Sequence, residues 1–297
     1  MRILLTGANG VMGRATIPSL QSAGHEVVGL VRSPAAARIV SAAGATPVRG
    51  DVLDRASIDA AIQGCEAVLN FATHVPVGVR ATLPGSLTRV NRIRTVGARN
   101  VAEAAVAAGT DVIVQQSLSL IYVDRGAAWI DESTPIDVTM VTEPLTVAEQ
   151  HAGLLAQAGG RTVCLRYGLI AGDDPNSRFL LRRAARRRPI GLGRPESWMH
   201  VIHPTDIGTS ALAALEAPSG AYNVGADPLT RREYVDAIAQ AAGFSEGRFF
   251  RPWLFNVTAD KLELLARSLR VSSQAFTDST GWKPTHPRLT PEWFGGS

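Results

Sequence analysis

The sequence predicts a doubly wound α/β fold, a parallel sheet covered by helices on both faces, with a smaller and mainly helical second lobe. Three observations carry this. Short apolar runs alternate with helical patterns through the first half of the chain, as expected of strands buried on both faces and joined by crossover helices. A glycine-rich segment lies directly between the first apolar run and the first helical pattern. The 297 residues also exceed the size at which one hydrophobic core stops growing, about 250 residues.

Apolar runs at residues 3–6, 26–31, 46–49, 67–71, 112–116 and 162–166 give six strands. Residues 57–62 and 96–108 read as helices, the second closing on Gly109. Pro18 falls about two turns into the first helix, where a ring without an N–H is expected to kink it or remove a bond. After Gly172 the pattern changes. Residues 176–188 read as a helix bearing Arg178, Arg182, Arg183, Arg186, Arg187 and Arg188, ended by Pro189. A strand and a helix follow within 199–216, then two helical patterns from Leu229 and an aromatic, proline-rich tail. The expected division is residues 1–172 with 199–224 for the sheet domain, and 173–198 with 225–297 for the second lobe.

Composition narrows the function classes. With 45% hydrophobic and 19% charged residues the chain is neither disordered nor fibrous. Its net charge of +4 is small and dispersed; it favours anionic ligands and gives no case for nucleic acid. Cys65 and Cys164 stand far apart in apolar settings, as inert thiols do, so no disulfide or zinc site is expected. No run approaches the roughly 18 apolar residues of a membrane span. Met1 leads straight into a strand without a signal-peptide stretch, so the expectation is a cytoplasmic protein with no membrane partner.

The sharpest signal is Thr6-Gly7-Ala8-Asn9-Gly10-Val11-Met12-Gly13, a G-x-x-G-x-x-G spacing between strand and helix. A pyrophosphate needs backbone N–H donors at close range and the positive end of a helix, and side chains larger than hydrogen block that approach. Gly7, Asn9, Gly10, Val11, Met12 and Gly13 are therefore candidate contacts of a dinucleotide in a Rossmann fold. At the end of the second strand an acidic residue suits NAD(H), whereas an arginine suits the 2′-phosphate of NADP(H). Here Arg32 and Ser33 stand at that point, and NADP(H) is expected. Asp51 and Val52 are placed for the adenine edge, with a helix N-cap as the other reading of Asp51. Asn70, Ala72 and Thr73 should run along the ribose and phosphates.

These residues resemble the short-chain dehydrogenase/reductase superfamily, in its extended NAD-dependent epimerase/dehydratase branch. The resemblance extends to Asn91, Gly97 and Asn100, to 117–122, to Leu165-Arg166-Tyr167-Gly168, and to His200-Val201-Ile202-His203 with Asp206. It continues through Tyr222-Asn223-Val224-Gly225, and Arg270-Val271-Ser272-Ser273 with Thr280-Gly281-Trp282 resembles an actinobacterial subgroup. It implies a bacterial NAD(P)-dependent oxidoreductase with Asn91 among the cofactor-binding residues, and a homodimer packed through its fourth and fifth helices.

The catalytic positions depart from that resemblance. Its enzymes use a Tyr-x-x-x-Lys pair one helical turn apart, the lysine lowering the tyrosine pKa. Counting back from Glu149, those positions hold Val141 and Leu145. The active serine is expected four residues before Tyr122, where Leu118 stands between Ser117 and Ser119. The remaining candidates for managing a proton or oxyanion are Ser117, Ser119, Tyr122, Glu143, Tyr167 and His203. Two readings follow: an oxidoreductase acting on a carbonyl or activated double bond of a small molecule, in specialised metabolism, or a non-redox isomerase, dehydratase, cyclase or NADP-sensing protein on the same fold. The arginine-rich helix points either to an anionic substrate or to a solvated face. Trp198, Phe249, Phe250, Trp253 and Phe255 line a substrate pocket or form the second lobe's core.

Overall fold

The structure, a computed structural model, describes residues 1–78, 83, 85–251 and 264–295. Seven strands form the central sheet: β1 (Arg2–Thr6), β2 (Glu26–Val31), β3 (Thr46–Arg49), β4 (Ala67–Asn70), β5 (Val112–Leu118), β6 (Arg161–Tyr167) and β7 (Gly220–Val224). All pair in parallel, in the order β7-β6-β5-β4-β1-β2-β3. The order reverses between β1 and β4. The connections leave to opposite sides there, opening a crevice above the strands' carboxyl ends.

Six of these strands are the expected ones, and β7 is the addition. Its short, glycine-led run carries little strand signal, yet it pairs with β6 from Gly220 opposite Val163 to Val224 opposite Tyr167. Alternation along the strands then sorts side chains to two faces. Ile3, Leu5, Leu69, Val114 and Leu165 meet α1 (Val11–Ser22), α2 (Pro34–Ala42) and α8 (Pro204–Ala214) on one face. Leu4, Val28, Val68, Ile113 and Cys164 meet α3 (Arg55–Ala61), α5 (Ala98–Ala108) and α6 (Glu143–Gln157) on the other. Both cysteines are free and buried.

Local chemistry sets the helix starts. Ser33 accepts the Ala36 N–H and places Pro34 in the first turn of α2. Asp174 caps α7 (Pro175–Ala185), and Thr230 with Glu233 forms a reciprocal capping box on α9 (Arg231–Ala241). Helix α3 begins two residues before the expected start, with Asp54 in the cap position. Asp51 is therefore not its N-cap; its Oδ1 accepts the Leu53 N–H at 3.0 Å instead.

Helix α1 runs unbroken through Pro18. Both Pro18 and Arg14, whose carbonyl the missing N–H leaves free, lie on the exposed side, where water satisfies that carbonyl. On its buried side α1 packs on α8, and Gly208 sits so close that a Cβ there would collide with the Ala15 carbonyl and stand 2.7 Å from Ser19 Oγ.

A separate apolar cluster joins α7, α9 and the turn Pro291–Phe294 through Ala184, Tyr234, Ile238, Trp293 and Phe294. Phe249 packs against it, and Phe250 receives the Arg183 guanidinium 5.3 Å above its ring. Trp198 lies under Arg270; Trp253 and Phe255 lie outside the described residues. The arginine helix ends at Ala185, three residues before the expected end. Arg187 closes it with a left-handed φ of 53°. The C-terminal segment is tied back by the fully buried Asp206 carboxylate, which accepts from the Thr285 N–H, the Thr285 hydroxyl and the His286 N–H. Among the described residues no helix is long and apolar enough to cross a membrane.

Two histidines sit where the sheet meets the later segments. His200 is buried, with Nδ1 3.0 Å from Ser119 Oγ and Nε2 3.5 Å from Ser273 Oγ; burial pushes its pKa down to about 3. His203 stacks on His286 with ring centres 3.9 Å apart, and burial, with His286 adding to it, pushes its pKa down to about 4.

The Gly208 contact predicts that Gly208→Ala destabilises the fold by about 1–3 kcal/mol, since two helix backbones must separate. A shifted urea midpoint at unchanged slope is the expected reading. A second expectation concerns pH. His200 and His203 have folded pKa values below the usual 6.5, so between pH 6.5 and pH 4 the unfolded chain binds protons that the native state refuses. Their contribution to stability is complete above pH 6.5 and is lost as pH falls. Denaturant midpoints measured down this range should drop, and His200→Asn should flatten the drop; an unchanged slope in that variant would contradict the assignment.

Candidate functional site

The crevice is built first from the turn between β1 and α1. Gly7 has a left-handed φ of 67°, and a Cβ on it would stand 2.5 Å from the Phe71 carbonyl oxygen at the end of β4. Gly13 is equally confined: its Cβ would lie 2.5 Å from the Gly7 carbonyl oxygen. Gly10 stands at the N-cap position of α1 and supplies no side-chain cap, and no acidic residue occupies the first turn. The first N–H groups of a twelve-residue helix are thus left without a side-chain partner beside exposed Asn9 and Gly10. That arrangement fits the phosphates of a dinucleotide, because N–H groups without a side-chain partner coincide there with the positive end of the helix.

The adenosine end lies over β2 and β3. A groove of about 360 Å³ is lined by Arg32, Arg49, Gly50, Asp51, Asp54 and Ser57. Arg32 is half exposed, and its Nη1 is 4.0 Å from Asp51 Oδ2, a loose contact that leaves the guanidinium available. Ser33 is exposed beside it with its oxygen accepting from α2. Val52 is buried and touches the Gly97 position, a Cβ on which would come within 3.0 Å.

At the carboxyl end of β4 the side chains turn inward. Thr6 Oγ1 donates to Asn70 Oδ1 at 2.6 Å, Asn70 Nδ2 donates to Gln115 Oε1 at 2.8 Å, and the Ala72 N–H donates to Thr6 Oγ1. Asn70 therefore ties β1, β4 and β5 together. In that stretch Thr73 is exposed, and the Ala72 nitrogen lies against the Gly7 turn, 2.9 Å from where a Cβ on that glycine would stand. Asn91 lies half-buried in α4 (Thr88–Arg92), its carbonyl taken by Thr95 Oγ1.

The absence of the Tyr-x-x-x-Lys pair has a structural form. Helix α6 starts at Glu143, after Val141, and Leu145 is buried among Ile121, Tyr122, Ile130, Leu269 and Val271. Two tyrosines among the candidates are engaged elsewhere. The Tyr122 hydroxyl accepts from Arg166 Nη1 and donates to Asn223 Oδ1, both at 2.8 Å, while Arg166 pairs with Glu149. Tyr167 lies in the core, edge-on to Phe71 and 3.3 Å from Ser210 Oγ. Burial pushes both phenols up, away from proton transfer near neutral pH. Ser119 is held by His200, and the exposed side of His203 caps α8 through the Thr205 N–H.

Among the described residues, buried polar atoms on the α6 face without a partner include Asn223 Nδ2, the Ser117 hydroxyl and Arg94 Nε. Ser117, fully buried at the top of β5, has an orphaned hydroxyl, and its register neighbour on β6 is Arg166. Arg94, missing from the sequence reading, lies in a π-helical turn (Ile93–Gly97) between α4 and α5. It is 8% exposed, its Nε is orphaned, and among the described residues no acid pairs with it. The signal was available: Val90, Arg94, Gly97 and Val101 form one stripe at helical spacing, and a charge within an apolar stripe marks either a partner or a ligand. Among the described residues there is no cluster able to hold a metal.

Comparison with known proteins agrees with this architecture. The profile of the NAD dependent epimerase/dehydratase family matches residues 3–225. A Streptomyces 3-diazoavenalumate denitrifying reductase is 29% identical over 97% of each chain. A Stigmatella aurantiaca ketoreductase of 4-hydroxy-2-methyl-3-oxo-4-farnesyl-3,4-dihydroquinoline-1-oxide is 29% identical over 82% of this chain and 74% of its own. Among solved structures, the human epimerase family protein SDR39U1 with NADPH superposes with a TM-score of 0.83 over the whole of both chains at 21% identity, a likeness of fold. With its glycine turn, its parallel sheet and that match across most of its length, the chain belongs to the NAD dependent epimerase/dehydratase family.

Proposed function

We propose that this protein is an NADPH-dependent reductase of a small molecule, acting on a carbonyl or activated double bond without a tyrosine–lysine pair. The observation that carries this reading is the uncapped start of α1 facing the crevice across Gly7 and Gly10. A nicotinamide dinucleotide seated there supplies a hydride. The chain's own residues bind and orient. Val11, Met12 and Gly13 offer backbone donors to the phosphates, Gly7, Asn9 and Gly10 shape the turn around them, with the Gly10 N–H spent on the Gly7 carbonyl, Asp51 and Val52 border the adenine, and Ala72, Thr73 and Asn91 border the riboses.

Arg32, with Ser33 beside it, selects the 2′-phosphate, because its one acidic contact among the described residues is long and exchangeable. Ser117 is the candidate hydroxyl for the reacting oxygen. Its Oγ–H has no acceptor among the described residues, whereas Ser119, Tyr122 and Tyr167 all have partners. The names of two relatives support the direction, one a denitrifying reductase of a diazo compound and the other a ketoreductase, and the second supports a carbonyl as the group reduced. In this reading the second lobe, residues 173–198 with 225–297, borders the substrate.

Equilibrium titration with NADPH and NADH tests the cofactor assignment. Arg32→Ala should weaken NADPH by about 1.5–3 kcal/mol, tenfold or more, and leave NADH within about twofold. Equal losses for the two would contradict a role for Arg32 in reading the phosphate. Ser117→Ala should lower kcat on a carbonyl substrate by about tenfold or more with NADPH affinity unchanged. Nicotinamide absorbance that persists while product forms would instead favour the non-redox alternative.

A further inference from the structure

Arg94 is a buried cation that no acid neutralises among the described residues. Burial pulls its pKa down to about 10, so it keeps its charge at neutral pH. A buried guanidinium without an acid or hydrogen-bond acceptor is costly to the folded state, and such groups are retained where a ligand completes them. Its place in the fold is defined by two helices. α5 ends at Ala108, four residues before β5, and α6 ends at Gln157, four residues before β6; Val112 and Arg161, which open those strands, are register partners. The two helices therefore run side by side in the same direction, and a residue on one stands level with the residue 49 positions later on the other. His151, whose electrostatic neighbours are Arg99 and Glu103, obeys this relation.

By the same relation Arg94 stands level with Glu143, at the first turn of α6, where Val141 and Leu145 occupy the positions of the missing pair. Gly97, one turn below Arg94, already touches Val52 just past the carboxyl end of β3. Arg94 is thus at the crevice rim, on the sheet face that also carries the orphaned Ser117 hydroxyl. The dinucleotide phosphates have a separate seat, on the α1 side of the sheet.

We infer that Arg94 is the receptor for a carboxylate, or an equivalent anionic oxygen group, on the molecule that the crevice reduces, an assignment that rests on the reductase reading above. The planar guanidinium presents paired N–H donors that match a carboxylate edge. With Arg94 holding the acid and Ser117 free to donate to a second oxygen, the favoured substrate class is a short oxo acid in preference to its neutral ester.

The test is calorimetric titration of the NADP⁺-saturated protein with acetoacetate and with methyl acetoacetate, using the native chain, Arg94→Met and Arg94→Lys. The native protein should prefer the acid by about tenfold or more, Arg94→Met should lose that preference, and Arg94→Lys should keep part of it as a point charge. NADP⁺ affinity should stay within about twofold throughout, and Arg94→Met should melt at a higher temperature than the native chain, because an unpaired buried charge has been removed. In native protein the Arg94 Nε–H resonance should move with acetoacetate and not with the ester, which gives a reading that needs no substitution. Two results overturn the inference: an acid preference that survives in Arg94→Met, or a loss of NADP⁺ affinity there of about tenfold, which assigns the guanidinium to the dinucleotide instead. In a parallel assay with NADPH in place of NADP⁺, Arg94-dependent binding of acetoacetate with no NADPH consumed would contradict the reductase reading and leave the anion site standing.

Discussion

Gly7 lies against the Phe71 carbonyl so closely that even a methyl group there would come within 2.5 Å of the oxygen, and this contact fixes where α1 starts relative to the carboxyl end of β4. Much of the crevice follows from it. The left-handed turn at Gly7 lets the chain reverse over β1, Gly13 allows the helix to lie back on the turn, and α1 then begins with its N–H groups bare. On the far side of α1, Gly208 brings α8 into backbone contact and holds the helix in that position.

The opposite face of the sheet shows how the protein treats buried polar groups. Thr6, Asn70 and Gln115 bond in a row across three strands, and in the row above them Arg166 is satisfied by Glu149 and Tyr122. Removing one member of such a set leaves the others unpaired, a cost of about 1–3 kcal/mol for each neutral group and more for a charge. This explains why Tyr122 and Tyr167, attractive from sequence as acids at strand ends, serve as structural pillars. On the same face the Ser117 hydroxyl and Arg94 Nε, like the Nδ2 of Asn223 beside Tyr122, have no partner among the described residues.

Much of the framework was legible in the residues. The strands buried on both faces, the glycine turn, the helix closing on Gly109 and the loss of the Tyr-x-x-x-Lys pair all leave local marks, because each depends on a few neighbouring positions. What was not legible depends on distant partners. β7 becomes a strand through β6, not through its own composition. Asp51 yields the cap position to Asp54 for reasons of loop geometry. Pro18 is harmless because the carbonyl it frees faces water. Whether Ser117 or Ser119 has a free hydroxyl turns on His200, 81 residues from Ser119 in sequence. Arg94 lay in plain view on an apolar stripe, and only its lack of a partner in three dimensions gives it meaning.

The central claim is that the bare amides at the start of α1 grip a dinucleotide. Amide hydrogen exchange at Val11, Met12 and Gly13, measured with and without saturating NADPH, examines it at the donors themselves. Strong and selective slowing is expected at these three amides, with smaller changes near Arg32. Bound NADPH that leaves them exchanging as freely as before, while protecting another part of the molecule, would contradict it.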